Sequence, residues 1–481
     1  MTHQGWPGNQ GWQGQPPPGY QPQYPVGPPQ TPKKKRMWIP FVIVGIVLFL
    51  AFGAGGLIAL RVYFSAQRDA DEPPQAEVLW TQDYSGVGGS FDDQPFDSWG
   101  SGDVVAVMHA DELVAYNSKT GEKAWDMAPP MREGEGKADI SRFCGISQEV
   151  ENGLGIVAYG PYIKEAYGGT GCSTIAAVDL KTGKPKWALD MPVVEDRSTT
   201  NYTSPAIVGD LVVFDLHDVV YGVSLADGKE VWRYDKEATQ HCGFSSPQFS
   251  ERTAVYSIFC PLDGKGGSRA LLFLDPVTGA VKERKEIKSE KAPIVVAADP
   301  PIVRIDANTD SERMVVFDEA GRETAEIPLE LPAGKLSVQP IGEGVGTGAR
   351  QREPFVIADG MLFGSTAPVQ ANEYRDTNKI VAVDLKTGQQ RWDVALGPKI
   401  FGRPLAVTDS GVLAINEGTA ENPPRVFEIP LNGGEPKPIT GTLPTDVGEM
   451  FKSNLHWVDD TLYGVWMGTK IEGMKPVFAV R

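Results

Sequence analysis

The side chains able to do chemistry in this sequence are few and widely spaced. Cys144, Cys172, Cys242 and Cys260 include no adjacent pair and no C-x-x-C spacing, so they lack the clustering that holds zinc or an iron–sulfur centre. His109, His217, His241 and His456 lie in different stretches of the chain, and no serine or cysteine has a base and an orienting acid close by in sequence. Asp306, Asn308 and Asp310 form a D-x-N-x-D run that resembles the first half of a calcium loop. Its sixth position is Ser311 rather than glycine and its twelfth is Phe317 rather than a bidentate glutamate. The run is a weak metal candidate, and a solvated loop ahead of a strand is the favoured reading. The segments GGT (168–170) and GKGG (264–267) lack the lysine-and-helix context of a phosphate loop. The expectation is therefore no catalytic centre, no metal and no cofactor.

Charge and composition set the class. The net charge of −17 is a sum over unlike regions: residues 1–63 contain five basic residues and no acidic one, so the remainder is more acidic still. Such a surface repels a phosphate backbone, and nucleic acid is excluded as a partner. The 54 glycines and 39 prolines separate short apolar runs, the pattern of turns between strands rather than of a helical bundle.

Residues 1–36 are rich in proline, glycine and glutamine and have no aliphatic periodicity with which to offset the entropy of ordering; they read as a disordered tail. Its interspersed Trp6, Trp12, Tyr20 and Tyr24 allow weak partner binding, and a plain spacer is the simpler reading. The stretch 37–60 has 24 residues without charge, reaching roughly 36 Å as a helix at about 1.5 Å per residue, enough to span a bilayer. Lys33, Lys34, Lys35 and Arg36 precede it and Arg61 alone follows, which places the N-terminus in the cytoplasm and the rest outside. A cleavable signal peptide is the competing reading, but the apolar run exceeds the usual ~7–15 residues. Residues 61–76 form a linker, and 77–481 the exported domain.

Four cysteines beyond an anchor fit an oxidising compartment and two disulfides. Three pairings are open. Cys144 with Cys172 and Cys242 with Cys260 is preferred because each pair then falls within one copy of an internal repeat.

That repeat is the strongest signal in the chain. LVAYNSKTGEKAW (113–125), IAAVDLKTGKPKW (175–187), VYGVSLADGKEVW (220–232) and IVAVDLKTGQQRW (380–392) share one pattern. LLFLDPVTGAVKE (271–283) keeps the turn and loses the tryptophan, MVVFDEAGRETA (314–325) has a turn one residue shorter, and RVFEIPLNGGEPKP (425–438) is degraded. Each copy reads as a hairpin. Gly121, Gly183, Gly228, Gly279 and Gly388 stand where the turn needs positive φ, and Asp179, Asp275 and Asp384 can hydrogen-bond turn amides. Trp125, Trp187, Trp232 and Trp392, with Trp80 in a matching outer strand, would pack against the neighbouring copy. Two more strand-like stretches precede each hairpin, giving four strands in 40–45 residues, the size of a propeller blade. Seven hairpins plus an incomplete unit at 454–481 make eight blades, with residues 77–84 supplying the missing strand beside 475–481; seven blades would follow if a weak copy were not a blade. Polar insertions at 133–140, 162–171 and 342–353 are surface-loop candidates.

Ala177, Asp179, Thr182, Gly183 and Trp187, and again Ala382, Asp384, Thr387, Gly388 and Trp392, match Ala-x-Asp-x-x-Thr-Gly-x-x-x-Trp. On these residues the region 77–481 resembles the PQQ-type propeller repeat family. The resemblance implies an all-β propeller and two branches: quinone-dependent dehydrogenases, and non-enzymatic scaffolds of the BamB type. The first implies adjacent cysteines near the quinone, a calcium site and an aspartate base; this chain has no adjacent cysteines. The expected function is a membrane-anchored extracytoplasmic module for a protein, peptide or cell-envelope ligand, with a propeller enzyme and a transmembrane sensor as alternatives.

Overall fold

A computed structural model describes residues 75–83, 95–130, 141–163, 169–191, 203–216, 219–235, 242–261, 267–338, 354–371, 374–418, 423–444, 450, 453–468 and 474–481. They form eight four-stranded antiparallel sheets, each a blade. Blade 1 runs from Asp97–Gly100 to Lys123–Met127, blade 2 from Ser141–Ile146 to Lys184–Asp190, blade 3 from Ala206–Val208 to Glu230–Tyr234, and blade 4 from Gly243–Phe249 to Val281–Glu286. Blade 5 spans Ile294–Ala298 to Glu323–Ile327, blade 6 Val356–Ala358 to Gln390–Val394, and blade 7 Gly402–Val407 to Lys437–Pro438. Blade 8 combines Ser453–Val458, Thr461–Trp466 and Val477–Val480 with Val78–Gln82 as its outer strand. Strands within a blade are called a to d from the axis outwards. The tail (1–36), the apolar stretch (37–60) and the linker to residue 74 lie outside the described residues, and among the described residues no helix is long and apolar enough to cross a membrane.

Side-chain alternation explains the ring. Successive residues of a strand point to opposite faces, so each blade buries one set against each neighbour. Val104, Ala106 and Met108 pack on blade 2, whereas Val105 and Val107 pack on blade 8. Repeated round the ring, this yields eight apolar clusters among the described residues, one per seam. The b and c strands are therefore buried on both faces, and alternation of hydrophobicity survives only in the d strands, such as KAWDM with its single buried Trp125.

The N-terminal strand closes the ring. Trp80, Thr81 and Gln82 pair with Ala479, Phe478 and Val477, and Glu77 and Arg481 exchange two backbone hydrogen bonds of 2.9 Å. No sheet edge is thereby left open at the break. Both expected disulfides form, Cys144–Cys172 in blade 2 and Cys242–Cys260 in blade 4. Cross-links closing loops of 28 and 18 residues stabilise by about 3 kcal/mol each in the chain-entropy account.

The repeated tryptophan docks each blade on the next. A Cβ built on Gly183 would lie 2.5 Å from Trp125 Cδ2, and the same holds for Gly121 under Trp80, Gly228 under Trp187, Gly279 under Trp232 and Gly433 under Trp392. Gly183 has φ 67°, so both its backbone and the absent side chain are required. The indole N–H donates to the carbonyl beside the turn: Trp80 to Ser118 and Trp125 to Leu180 at 2.7 Å, Trp187 to Leu225 and Trp392 to Leu431 at 2.9 Å. Trp232 makes no such bond and seats on Gly279 by contact alone.

Three of the eight seams depart from this scheme: between blades 4 and 5 and between blades 5 and 6 the repeat lost its tryptophan, and blade 8, whose d strand is Val78–Gln82, offers blade 7 no c–d turn. Between blades 4 and 5, Glu283 occupies the ring's place over Gly321, while Lys285 donates to the Gly321 carbonyl at 3.3 Å, pairs with Glu323 at 3.3 Å and lies over the Phe317 ring. Gly388 of blade 6 lies under the Glu326 carbonyl rather than under an indole.

The turn aspartates also act as expected. Asp384 accepts from the amides of Lys386 and Thr387 at 3.0 and 2.9 Å and from Arg391 Nη2 at 2.6 Å. The Arg391 hydrogen bond, with those from Thr387, holds its carboxyl below the usual 3.8 against the opposing effect of desolvation.

Two outcomes follow. Trp125→Ala should cost about 3–5 kcal/mol in urea unfolding, whereas Glu283→Ala, at a seam without the indole, should cost under about 1 kcal/mol; equal losses would remove the indole from its central role. Because the Asp384 pKa is depressed on folding, its contribution is full above the ordinary value and is lost as pH falls through the folded value. The urea midpoint of Asp384→Asn should therefore fall less steeply than that of the parent as pH is lowered below about 5.

Candidate functional site

Antiparallel order puts the a–b and c–d turns of every blade on one face and the b–c and d–a connections on the other. The two faces differ in construction. No a–b or c–d turn exceeds seven residues, whereas the d–a connection between blades 5 and 6 occupies 328–355. The short-turn face carries a cleft of about 450 Å³ between the a–b turns of blades 2, 3, 4 and 5.

Local chemistry sets these turns. In blade 2 the pair Asn152-Gly153, with φ 52° and 72°, makes a two-residue hairpin turn closed by the Glu151 and Leu154 backbones. Ser147 Oγ donates to the Glu149 carbonyl at 2.7 Å and accepts from the Ile156 amide at 3.1 Å, fixing the chain just ahead. Gly209, φ 55°, turns blade 3. In blade 4 Ser250 Oγ accepts from the Thr253 amide at 3.0 Å.

The cleft has a half-buried apolar part, Ile207 and Phe249, and a charged rim of Glu149, Glu151, Glu251, Arg252 and Asp299. Phe249 is backed by the fully buried Tyr256, whose ring meets it edge-on at 5.7 Å. Burial, with the Asp215 carboxylate adding to it, pushes the Tyr256 hydroxyl well above its usual value, so it stays neutral. Arg252 is already engaged, pairing with Asp299 at 2.5 Å and Glu319 at 3.0 Å.

A second polar constellation lies where the ring closes, on the a strands of blades 1 and 8. Ser98 Oγ is 2.9 Å from His456 Nε2 and 3.2 Å from Asn454 Nδ2, and Asp97 Oδ1 accepts from Asn454 Nδ2 at 3.3 Å and from the Ser98 amide at 2.8 Å. A hydroxyl, an imidazole and a carboxylate 358 residues apart in sequence thus meet. Ser98 is only 3% exposed, and the hydrogen bonds of the group tie the a strands of blades 1 and 8 together.

The other sequence candidates are dispersed. Asp306 Oδ1 accepts from the Glu290 amide at 2.6 Å, Asn308 offers its amide to Glu312 at 2.9 Å, and Asp310 is exposed; the run is the b–c turn of blade 5, tied to the connection before that blade. Among the described residues no group of three or more His, Cys, Asp or Glu is arranged to hold a metal. His109 is buried beside the b–c turn of blade 1, and His217 and His241 lie outside the described residues. The surface segments 133–140 and 342–353 lie outside them too; in 162–171, Tyr162 and Ile163 extend a strand that pairs with Gly169–Thr170, so this insertion begins and ends as a ladder. A further small hairpin in blade 6, Val369–Ala371 with Tyr374–Thr377, has no counterpart in the sequence reading.

A family model described as outer membrane protein assembly factor BamB matches residues 69–254 and 166–347, together more than half of the chain. The chain belongs to this BamB-like, PQQ-type repeat family. No curated protein matches it. Among solved structures it is similar to BamB from Moraxella catarrhalis, at 15% identity and TM-score 0.45 over 84% of this chain and 99% of that one. It is also similar to the quinohemoprotein alcohol dehydrogenase from Comamonas testosteroni, at 11% identity and TM-score 0.46 over 84% and 76%. A europium-containing methanol dehydrogenase matches at 12% identity and TM-score 0.40 over 81% and 84%. The adjacent-cysteine element of the quinone pattern that the resemblance implies is missing, since the four cysteines are bridged separately in blades 2 and 4.

The seam cluster has a measurable consequence. Asn454→Ala, which leaves Ser98 and Asp97 each one hydrogen bond short, should cost about 1–3 kcal/mol. Amide exchange should quicken first in Val78–Gln82 and Val477–Val480; equal acceleration in all blades would deny the cluster a local role in closure.

Proposed function

We propose that this protein is a non-enzymatic binding module for protein partners in the cell envelope, tethered by residues 37–60 with its tail in the cytoplasm. The observation that carries the reading is the preformed cleft on the short-turn face, whose walls come from four consecutive blades and whose volume falls in the ~300–1,000 Å³ range of ligand sites. Turns set by Asn-Gly and serine hydrogen bonds keep that surface in place without a ligand, which lowers the cost of association. Membership of a family described as an assembly factor supports protein rather than small-molecule partners. The uncharged 24-residue stretch with four cations on its N-terminal side supports the tether and its orientation.

A photo-reactive side chain placed at Glu149 or Glu251 in the full-length protein, irradiated in intact cells, tests this. Defined adducts with exported proteins should form from both cleft positions and not from Glu435 on blade 7. Adducts with cytoplasmic proteins alone would reverse the orientation, and no adduct from either position would overturn the binding reading.

A further inference from the structure

The cleft combines two properties that together specify a chemical class of partner. Within a lining that is mainly polar, Ile207 and Phe249 are half-buried, and Phe249 is backed by Tyr256, so the cleft floor offers a small hydrocarbon and aromatic contact. Its rim holds four carboxylates and, among the described residues, one cation, Arg252, which pairs with Asp299 and with Glu319, the latter shared with Lys282 behind the rim. Glu149, Glu151 and Glu251 are all exposed and have no ion-pair partner within 4 Å among the described residues. They come from blades 2 and 4 and are held facing one opening by turns whose hydrogen bonds are internal to the backbone and to Ser147 and Ser250.

Carboxylates gathered round one opening favour a cation over an anion there. Lysine and arginine side chains carry both complements at once: a hydrocarbon stem that covers apolar surface and a charged head that reaches the rim. A guanidinium can also lie against an aromatic face such as that of Phe249. An anionic ligand is opposed by three carboxylates that have no ion pair within 4 Å among the described residues, and a purely apolar one leaves their charge unanswered.

Resting on the binding-module reading, we infer that the cleft takes a lysine- or arginine-bearing, otherwise apolar segment of an exported protein. The acidic surface of the domain as a whole steers such a segment inward, so association should be faster at low ionic strength.

The probe is a fluorescein-labelled peptide of alternating lysine and leucine, with a glutamate-for-lysine counterpart, titrated with the full-length protein in detergent and followed by anisotropy. The basic peptide should bind and the acidic one should not. The triple variant Glu149→Gln, Glu151→Gln, Glu251→Gln should weaken binding about tenfold or more. These three residues are exposed and lie in turns whose hydrogen bonds do not use their carboxylates, so the variant should fold, which an unchanged urea midpoint would verify. Glu77→Gln, Glu330→Gln, Glu435→Gln removes the same charge from exposed positions elsewhere in the domain and should leave affinity within about twofold. If both triple variants lose affinity equally, attraction is a property of net charge and the inference falls. It falls as well if neither variant changes affinity or if the acidic peptide binds as tightly. Loss of the peptide result with cleft adducts still formed in cells would refute the cationic class alone; loss of both would remove the binding module too.

Discussion

The seating of an indole ring on a glycine turn of the next blade is the contact on which this molecule depends. A propeller blade has no core of its own; its sheets are buried only by their neighbours, so the fold needs a device that sets the distance and register between blades. The tryptophan supplies it at five seams. Its ring needs a flat site, which only a residue without Cβ can offer, and its N–H needs an acceptor, which the carbonyl beside the same turn provides in four of the five. Ring, glycine and carbonyl therefore lock rotation as well as spacing. Where the ring is absent, between blades 4 and 5, a lysine, two glutamates and a phenylalanine take over, exchanging a dry contact for a partly solvated one whose strength varies with salt.

Much of this was legible because the repeat writes the same instruction several times. Trp80, far from the hairpins in sequence, could be matched to the outer strand by its neighbours, and its place beside residues 475–481 then followed from the need to close the ring. The cysteine pairs were legible for a related reason: a bridge within one repeat asks nothing of the remaining geometry. The uneven copies were informative as well, since the missing tryptophan in 271–283 marks a seam that is built differently.

The cleft and the closure cluster were not legible, and for one physical reason. Both are made by residues outside the repeated positions and brought together only by the circular arrangement. Glu149 and Asp299 are 150 residues apart in sequence and line one opening. Ser98 and His456 are 358 apart and share a hydrogen bond. Nothing local in either segment distinguishes a turn that lines a cavity from one that faces solvent. The D-x-N-x-D run has the residue types of a ligand set, and its failed second half already favoured a loop; that Asp306 accepts from the backbone of the preceding connection is the part the sequence could not reveal.

The same docking that aligns the blades also divides the molecule into a conservative and a permissive side. The c–d turns that lie beneath a neighbour's ring are held to four to six residues, since a long insertion would lift the glycine away from the indole. The b–c and d–a connections are not bound to that contact among the described residues, and the longest occupies 28 positions at 328–355. Lineages that share this architecture can therefore acquire or shed segments on one surface of the disc while the opposite surface stays nearly constant in length. Recognition built on the short-turn surface would accordingly diverge by exchanging side chains, and recognition on the other by exchanging whole loops.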